Sequence, residues 1–363
     1  MSMWFDGVYM LFDLDEIERS LAAGNEETVQ FSGPFTPPYH LGVPDDERGL
    51  RAGDPVDFED YIARINGLCA TYGSACTVRF YGHHRAAFDA EVVRLFPAAR
   101  SLVANCLWET KNLDAIADLG HLTHLGIGIA DLKDRDLLAK LPMERLTYFC
   151  LEEVGTKALD LAPLARAEAL RELRLMAPYK KNIEALGQLD ELDILSIAPV
   201  KGVPLDFIEG MAGLRTLKLV LGGADALPMV GHPGLENIAV TQTRGLADLG
   251  PLERFPALRR VMVSDQAHLE AVDMGPENTA LAHLWFYNCP KLARLDGFER
   301  LPACLSLNAI MTGLTVAGLR YPSSLTHLHL HTTKRRDEAA EKTAIAALGF
   351  IDDWHPDAGL FYK

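Results

Sequence analysis

Near the end of the chain the run His327-Leu328-His329-Leu330-His331 alternates imidazole with leucine, so on a β-strand its three histidines share one face. Imidazole nitrogen and thiolate sulfur are zinc ligands, and a His-x-His pair on one strand can chelate a single ion. His283 and Cys304 lie upstream at the spacing of a repeat described below. They are expected to join His327 in one row, with Trp285, Ser306, His329 and then Tyr287, Asn308, His331 beside it. The plainer reading is a polar strand alternating outside and inside, with no acidic ligand in the row. A resident metal is therefore not expected, and His283, Cys304 and His327 are the candidates for one. Such a site would be a metal or small-ligand site with possible hydrolytic chemistry.

Nucleophilic chemistry has weaker support. Cys150 and Cys106 are expected on the same exposed face, and the base they would need has only His124 as a candidate. Gly82-His83-His84 falls between a strand and a helix and reads as a turn. The Gly-x-Ser-x-Gly, Walker, dinucleotide and His-Glu-x-x-His patterns are absent, so no catalytic residue is assigned and no cofactor is expected.

The elements that must position these residues are repeats. From Leu122 the apolar pattern L-x-x-L-x-L returns every 21 to 24 residues, beginning at Leu122, Leu146, Leu170, Leu192, Leu214, Leu235, Leu258 and Leu281. A weakened copy is placed at Pro302 and a last one at Leu325. Two apolar residues separated by one other make a strand with one buried face. After it, several copies switch to a spacing of three, as in Leu205, Ile208, Met211 or Leu292, Leu295, Phe298, Leu301, which is too tight for an α-helix and fits 3₁₀ turns. Each unit is one strand, one turn and one short helical return.

These residues resemble the leucine-rich-repeat family, in its short class of about 22 residues and a cytoplasmic bacterial type, over residues 97 to 333. The resemblance implies an α/β repeat solenoid: a horseshoe with a concave parallel β-sheet, short 3₁₀ or irregular convex segments and α-containing caps at both ends. The family places Asn or Cys eight residues after the first leucine, and here only Cys289 fits. A parallel β-helix shares the period and is the rival fold. It would show three strands per coil instead of one.

In such a coil the residues two, four and six after the first apolar position face out of the sheet. That map contains Tyr148, Glu172, Arg174, Lys218, Arg260, Met262, His283, Trp285, Tyr287 and His329, and several of these types are enriched where proteins bind proteins. The expected function is a non-enzymatic module binding a protein or peptide on the concave face.

Residues 1–96 read as an N-terminal cap. Within it lie a strand and acidic helix up to residue 30 with Leu14, Ile17 and Leu21 on one stripe, a Pro/Gly-rich stretch 31–54, a helix 57–70, a strand 77–81 and a helix 85–96. The last two resemble a degenerate first repeat. Residues 334–363 read as a helical C-terminal cap built on Arg336–Leu348 and folding over the last coil.

The formal charge is −15, and residues 1–75 hold 14 acidic residues against 4 arginines. That balance opposes a nucleic-acid partner and fits a solvated surface, or a docking face for a basic protein. No leader and no spanning stretch are visible, and the six cysteines form no framework, as expected of a cytoplasmic protein with no membrane partner.

Overall fold

Each L-x-x-L-x-L segment forms one strand in the computed structural model, which describes residues 13–32, 58–82, 87–152, 158–275, 278–332 and 338–357. The inward positions are sealed: Leu122, Leu125, Leu146, Leu170, Leu173, Leu192, Leu214 and Leu217 are all fully buried. Burying one such side chain stabilises by about 2 kcal/mol, and stacking coils pools that gain in a column that no single repeat could form.

The chain divides into two compact units, residues 1–174 with 181–185 and residues 175–180 with 186–363. In the first, parallel strands follow one another in sequence order: β1 (Glu27–Ser32), β2 (Cys76–Tyr81), β3 (Ser101–Leu107), β4 (His124–Ile129), β5 (Tyr148–Leu151) and β6 (Glu172–Leu175), the last ending at the division. The second unit continues the same scheme with β7 (Ile194–Ile197), β8 (Thr216–Val220), β9 (Asn237–Thr241), β10 (Arg260–Ser264), β11 (His283–Cys289), β12 (Ser306–Thr312) and β13 (His327–Thr332). One long strand per coil excludes the β-helix alternative. The few further strands are short parallel pairs on the return legs, such as Ala271–Asp273 with Arg294–Asp296. The three-residue apolar spacing does give 3₁₀ segments, among them Asp206–Gly210, Leu252–Arg254 and Phe298–Arg300.

Coil stacking reaches further toward the N-terminus than the apolar pattern indicates, since β1 already pairs with β2. Helix α1 (Leu14–Ala22) buries Leu14, Ile17 and Leu21, and Asp13 caps it by accepting the Asp15 and Glu16 backbone N–H groups. Helix α2 (Phe58–Tyr72) occupies the expected place. The helix expected over 85–96 is instead a 3₁₀ segment, Ala90–Leu95, after a short strand at Phe88–Asp89. The strand expected before α1, the Pro/Gly-rich stretch from residue 33 and the 83–84 histidines lie outside the described residues. Helix α3 (Glu338–Ala347) follows the last coil and ends at Gly349, whose φ of 79° suits glycine. Among the described residues no helix is long and apolar enough to cross a membrane.

Candidate functional site

The register of β10 to β13 decides which side chains meet. His283 pairs with Ser306 and Ser306 with His327; Trp285, Asn308 and His329 form the next row, and Tyr287, Ile310 and His331 the third. Cys304 is thus not a member of the histidine row. It is fully buried, its Sγ 3.7 Å from the Ser306 carbonyl oxygen, because it occupies the first apolar position of the weakened copy. That copy reads Cys304, Leu307, Ala309, all buried, and not a set begun at Pro302, which shifts the expected rows by two residues. Burial pushes the Cys304 thiol up to about 12, so it offers no thiolate.

The C-terminal segment completes the site. Ile351 forms a parallel bridge to His327, with the Leu328 N–H donating to the Ile351 carbonyl and the Ile351 N–H to the Thr326 carbonyl, each at 3.0 Å. From that edge Asp352–Asp357 turns back onto the outward sheet face. Trp354 meets Trp285 edge-on, centroids 4.8 Å apart and planes at 82°. Asp352 Oδ1 lies 2.8 Å from His329 Nδ1. The His355 ring sits 4.9 Å from that of His283 and 4.8 Å from that of His327. Ligand atoms of His283, His355 and Asp357 all fall within 4.8 Å of one another.

Two of the histidines rest on hydroxyl groups, one of the preceding residue and one of the neighbouring strand. Thr326 Oγ1 lies 3.1 Å from the Leu305 carbonyl oxygen and 2.9 Å from His327 Nδ1, which leaves Nε2 as the ring nitrogen without that neighbour. His283 Nδ1 is 2.9 Å from the buried Ser306 hydroxyl. Burial, then the nearby His355 and Arg260, push His283 down to about 4, and burial with His355 also lowers His327. Both imidazoles are neutral near pH 7.

The remaining residues of the expected face are partly sequestered. Met262 is buried with Ala239 under Trp285, and Arg260 donates to Asn237 Oδ1 at 3.2 Å. Lys218 is half-buried between Ser196 and Ala239 in the middle row, whereas Tyr287 is exposed. In the first unit, Arg174 binds Glu172 at 2.6 Å and lies over the Tyr148 ring at 5.5 Å, while His124 stacks on Tyr148 from the neighbouring strand. Burial raises the Tyr148 hydroxyl and pushes the Cys150 thiol up to about 11, away from nucleophilic use. Cys106 is at the strand end, in left-handed backbone, not in the outward rows.

Trp354, His355 and Asp357 lie outside the repeat pattern from which the outward face is read. Nothing in their local pattern reports a fold-back onto strands 28 to 72 residues upstream. The only available signal was compositional: aromatic, His and Asp residues following a helix stop in a segment with no period of its own.

No protein-family model and no curated protein matches the sequence. Among solved structures, an internalin of Listeria monocytogenes is similar with a TM-score of 0.53 and 18% identity, over 76% of each chain. A leucine-rich-repeat protein of Leptospira interrogans is similar over 98% of this chain and 95% of its own, at 12% identity and a TM-score of 0.38. The likeness to the internalin, with one parallel strand per 21- to 24-residue coil, establishes the leucine-rich-repeat solenoid as the fold.

Proposed function

We propose that this leucine-rich-repeat solenoid is a non-enzymatic interaction module whose outward sheet face receives an acidic and aromatic segment of a protein partner. One observation carries the reading: the chain seats its own segment of that kind there, with Trp354 on Trp285 and Asp352 against His329. Tryptophan, tyrosine and arginine are the residue types in which interface hot spots are enriched. Arg260, Lys218 and the histidines supply the cationic and polar groups that an acidic segment would meet, and Met262, Trp285 and Tyr287 supply the apolar floor. Tyr148, Glu172 and Arg174 form a second outward cluster on the first unit, already internally paired. The high thiol values of Cys150 and Cys304 argue against a cysteine enzyme. All six cysteines are unpaired, which fits the cytoplasm.

The test is peptide selection from a random library on the full-length chain. Enriched peptides should carry an aromatic residue flanked by Asp or Glu. Their affinity should fall at least tenfold on Trp285→Ala and severalfold on Arg260→Ala, with both variants still folded by circular dichroism at the assay temperature. Binding unaltered in both variants would remove this face as the binding site.

A further inference from the structure

We propose that His283 and the C-terminal residues His355 and Asp357, with His327 alongside, form a binding site for one zinc-class divalent transition-metal ion that ties the terminal segment to the sheet face. The inference does not rest on the protein-binding reading, since an ion can bind here whether or not a partner does.

The donor set is chemically apt. Two imidazoles and one carboxylate, with a third imidazole in ring contact, match the nitrogen and oxygen ligands of zinc. Their ligand atoms lie within 4.8 Å of one another, against about 3.3 Å for a tetrahedral site with bonds near 2.05 Å. His283 is the fixed member: it is buried on a central strand, and its Nδ1 is held by Ser306. His355 and Asp357 lie on the terminal segment, with His355 Nδ1 3.9 Å from Asp357 Oδ2 and 3.2 Å from the Asp357 N–H. The Asp357 side chain is two-thirds exposed, so it can rotate to close the remaining gap.

The outer partners also have the form that metal-bound histidines show, with one ring nitrogen held by a hydroxyl so that the other is aimed at the ion. Ser306 serves His283, and Thr326, itself anchored on the Leu305 carbonyl, serves His327. Asn308, fully buried in the adjacent row, has neither amide atom hydrogen-bonded among the described residues, so polar capacity beside the cluster is unused. These features separate the site from a stripe of histidines on an exposed strand.

Calorimetric titration of Zn²⁺ into untagged full-length protein tests this. The expected result is one ion per chain, accompanied by a change in tryptophan emission, because Trp285 and Trp354 are in contact. His355→Gln and Asp357→Asn lie outside the core and should leave folding intact. His355→Gln should weaken binding at least tenfold, and Asp357→Asn should weaken it measurably. His283→Gln with His355→Gln should abolish it. His331→Gln, which keeps the cluster but breaks the His-x-His strand motif, should change affinity less than twofold. Equal affinity in the wild type and the His283→Gln/His355→Gln double variant overturns the proposal, as does loss of the ion in His331→Gln. Peptide binding that survives while zinc binding fails leaves the interaction reading standing and this one refuted.

Discussion

Asn308 occupies the centre of the outward rows and is fully buried with its amide unbonded among the described residues. A buried polar atom without a partner costs about 1–3 kcal/mol, whereas an apolar side chain of similar shape costs nothing of that kind. Asn308→Leu is therefore expected to hold or raise the urea midpoint of the metal-free protein. A loss of more than about 1 kcal/mol would mean the amide is bonded in solution. His232 shows the opposite case. It is buried, its Nε2 lies 3.1 Å from the Met211 carbonyl oxygen, and its Nδ1 accepts the Gly234 N–H, so the neutral ring is satisfied on both sides. Burial lowers its pKa below the ordinary 6.5, with Arg215 adding to the shift. The unfolded chain thus takes up a proton at a pH where the folded one does not. The stability from this group is present above about pH 6.5 and is lost as pH falls toward its folded value. Equilibrium unfolding should show His232→Gln destabilised at pH 7.5, with a smaller drop between pH 7.5 and 5 than the wild type. Parallel pH profiles would refute that role.

A recurring turn ends the strands. Leu221, Gln242, Asp265, Asn288 and Met311 all have φ between 50° and 63°, and each lies seven residues after the first apolar position of its copy, while Cys106, with φ of 55°, holds the same place at the end of β3. A left-handed residue there swings the next one inward, where Thr243, Gln266, Cys289 and Thr312 are buried. This explains how the coils close without the family's Asn. Gln266 Nε2 donates to the Ser264 carbonyl, Cys289 Sγ lies 3.8 Å from the Val263 carbonyl oxygen, and Thr312 Oγ1 accepts the Leu314 N–H. Left-handed backbone costs a non-glycine residue about 1–2 kcal/mol, and Asn suffers least after Gly. Leu221→Asn and Met311→Asn, at sites 41% and 43% exposed, should each stabilise by about 0.5–1 kcal/mol in chemical denaturation. Gly222→Ala should do the reverse, because its φ is 69° and a Cβ would stand 2.3 Å from the Pro199 carbonyl oxygen. The same turn at Met311 confirms that the weakened copy begins at Cys304, the position that settles the histidine row.

At the scale of the molecule, a solenoid must cover its ends, and the caps here do so differently. At the start, α1 lays its apolar stripe inward and β1 adds a coil that lacks the leucine pattern. At the finish, Phe350 packs on Tyr321 at 5.0 Å and Ile351 bridges the last strand, after which the segment runs over the sheet face. That segment competes with any ligand of the same surface. Trp354→Ala should therefore raise the affinity of selected peptides severalfold and speed amide exchange over residues 351–357. Unchanged peptide affinity with faster exchange would show that the segment does not guard the binding face.

The order of the coils, their parallel strands and the 3₁₀ returns were legible in the sequence, because a period of about 22 residues with fixed apolar offsets and one alternating stretch per period stacks the leucines coil upon coil. So were the outward positions of nine copies, since strand alternation fixes each side chain's face once the first leucine is known. Where the pattern thinned, at Pro302 to Ala309, the phase slipped by two residues, and with it the place of Cys304. What only the tertiary structure decided is the partner across the sheet: Trp354, His355 and Asp357 come to Trp285 and His283 through a fold-back with no periodicity to report it. Local sequence carries the information for contacts between successive coils, whereas a segment lying across several coils is placed by surface complementarity that exists only once those coils have formed.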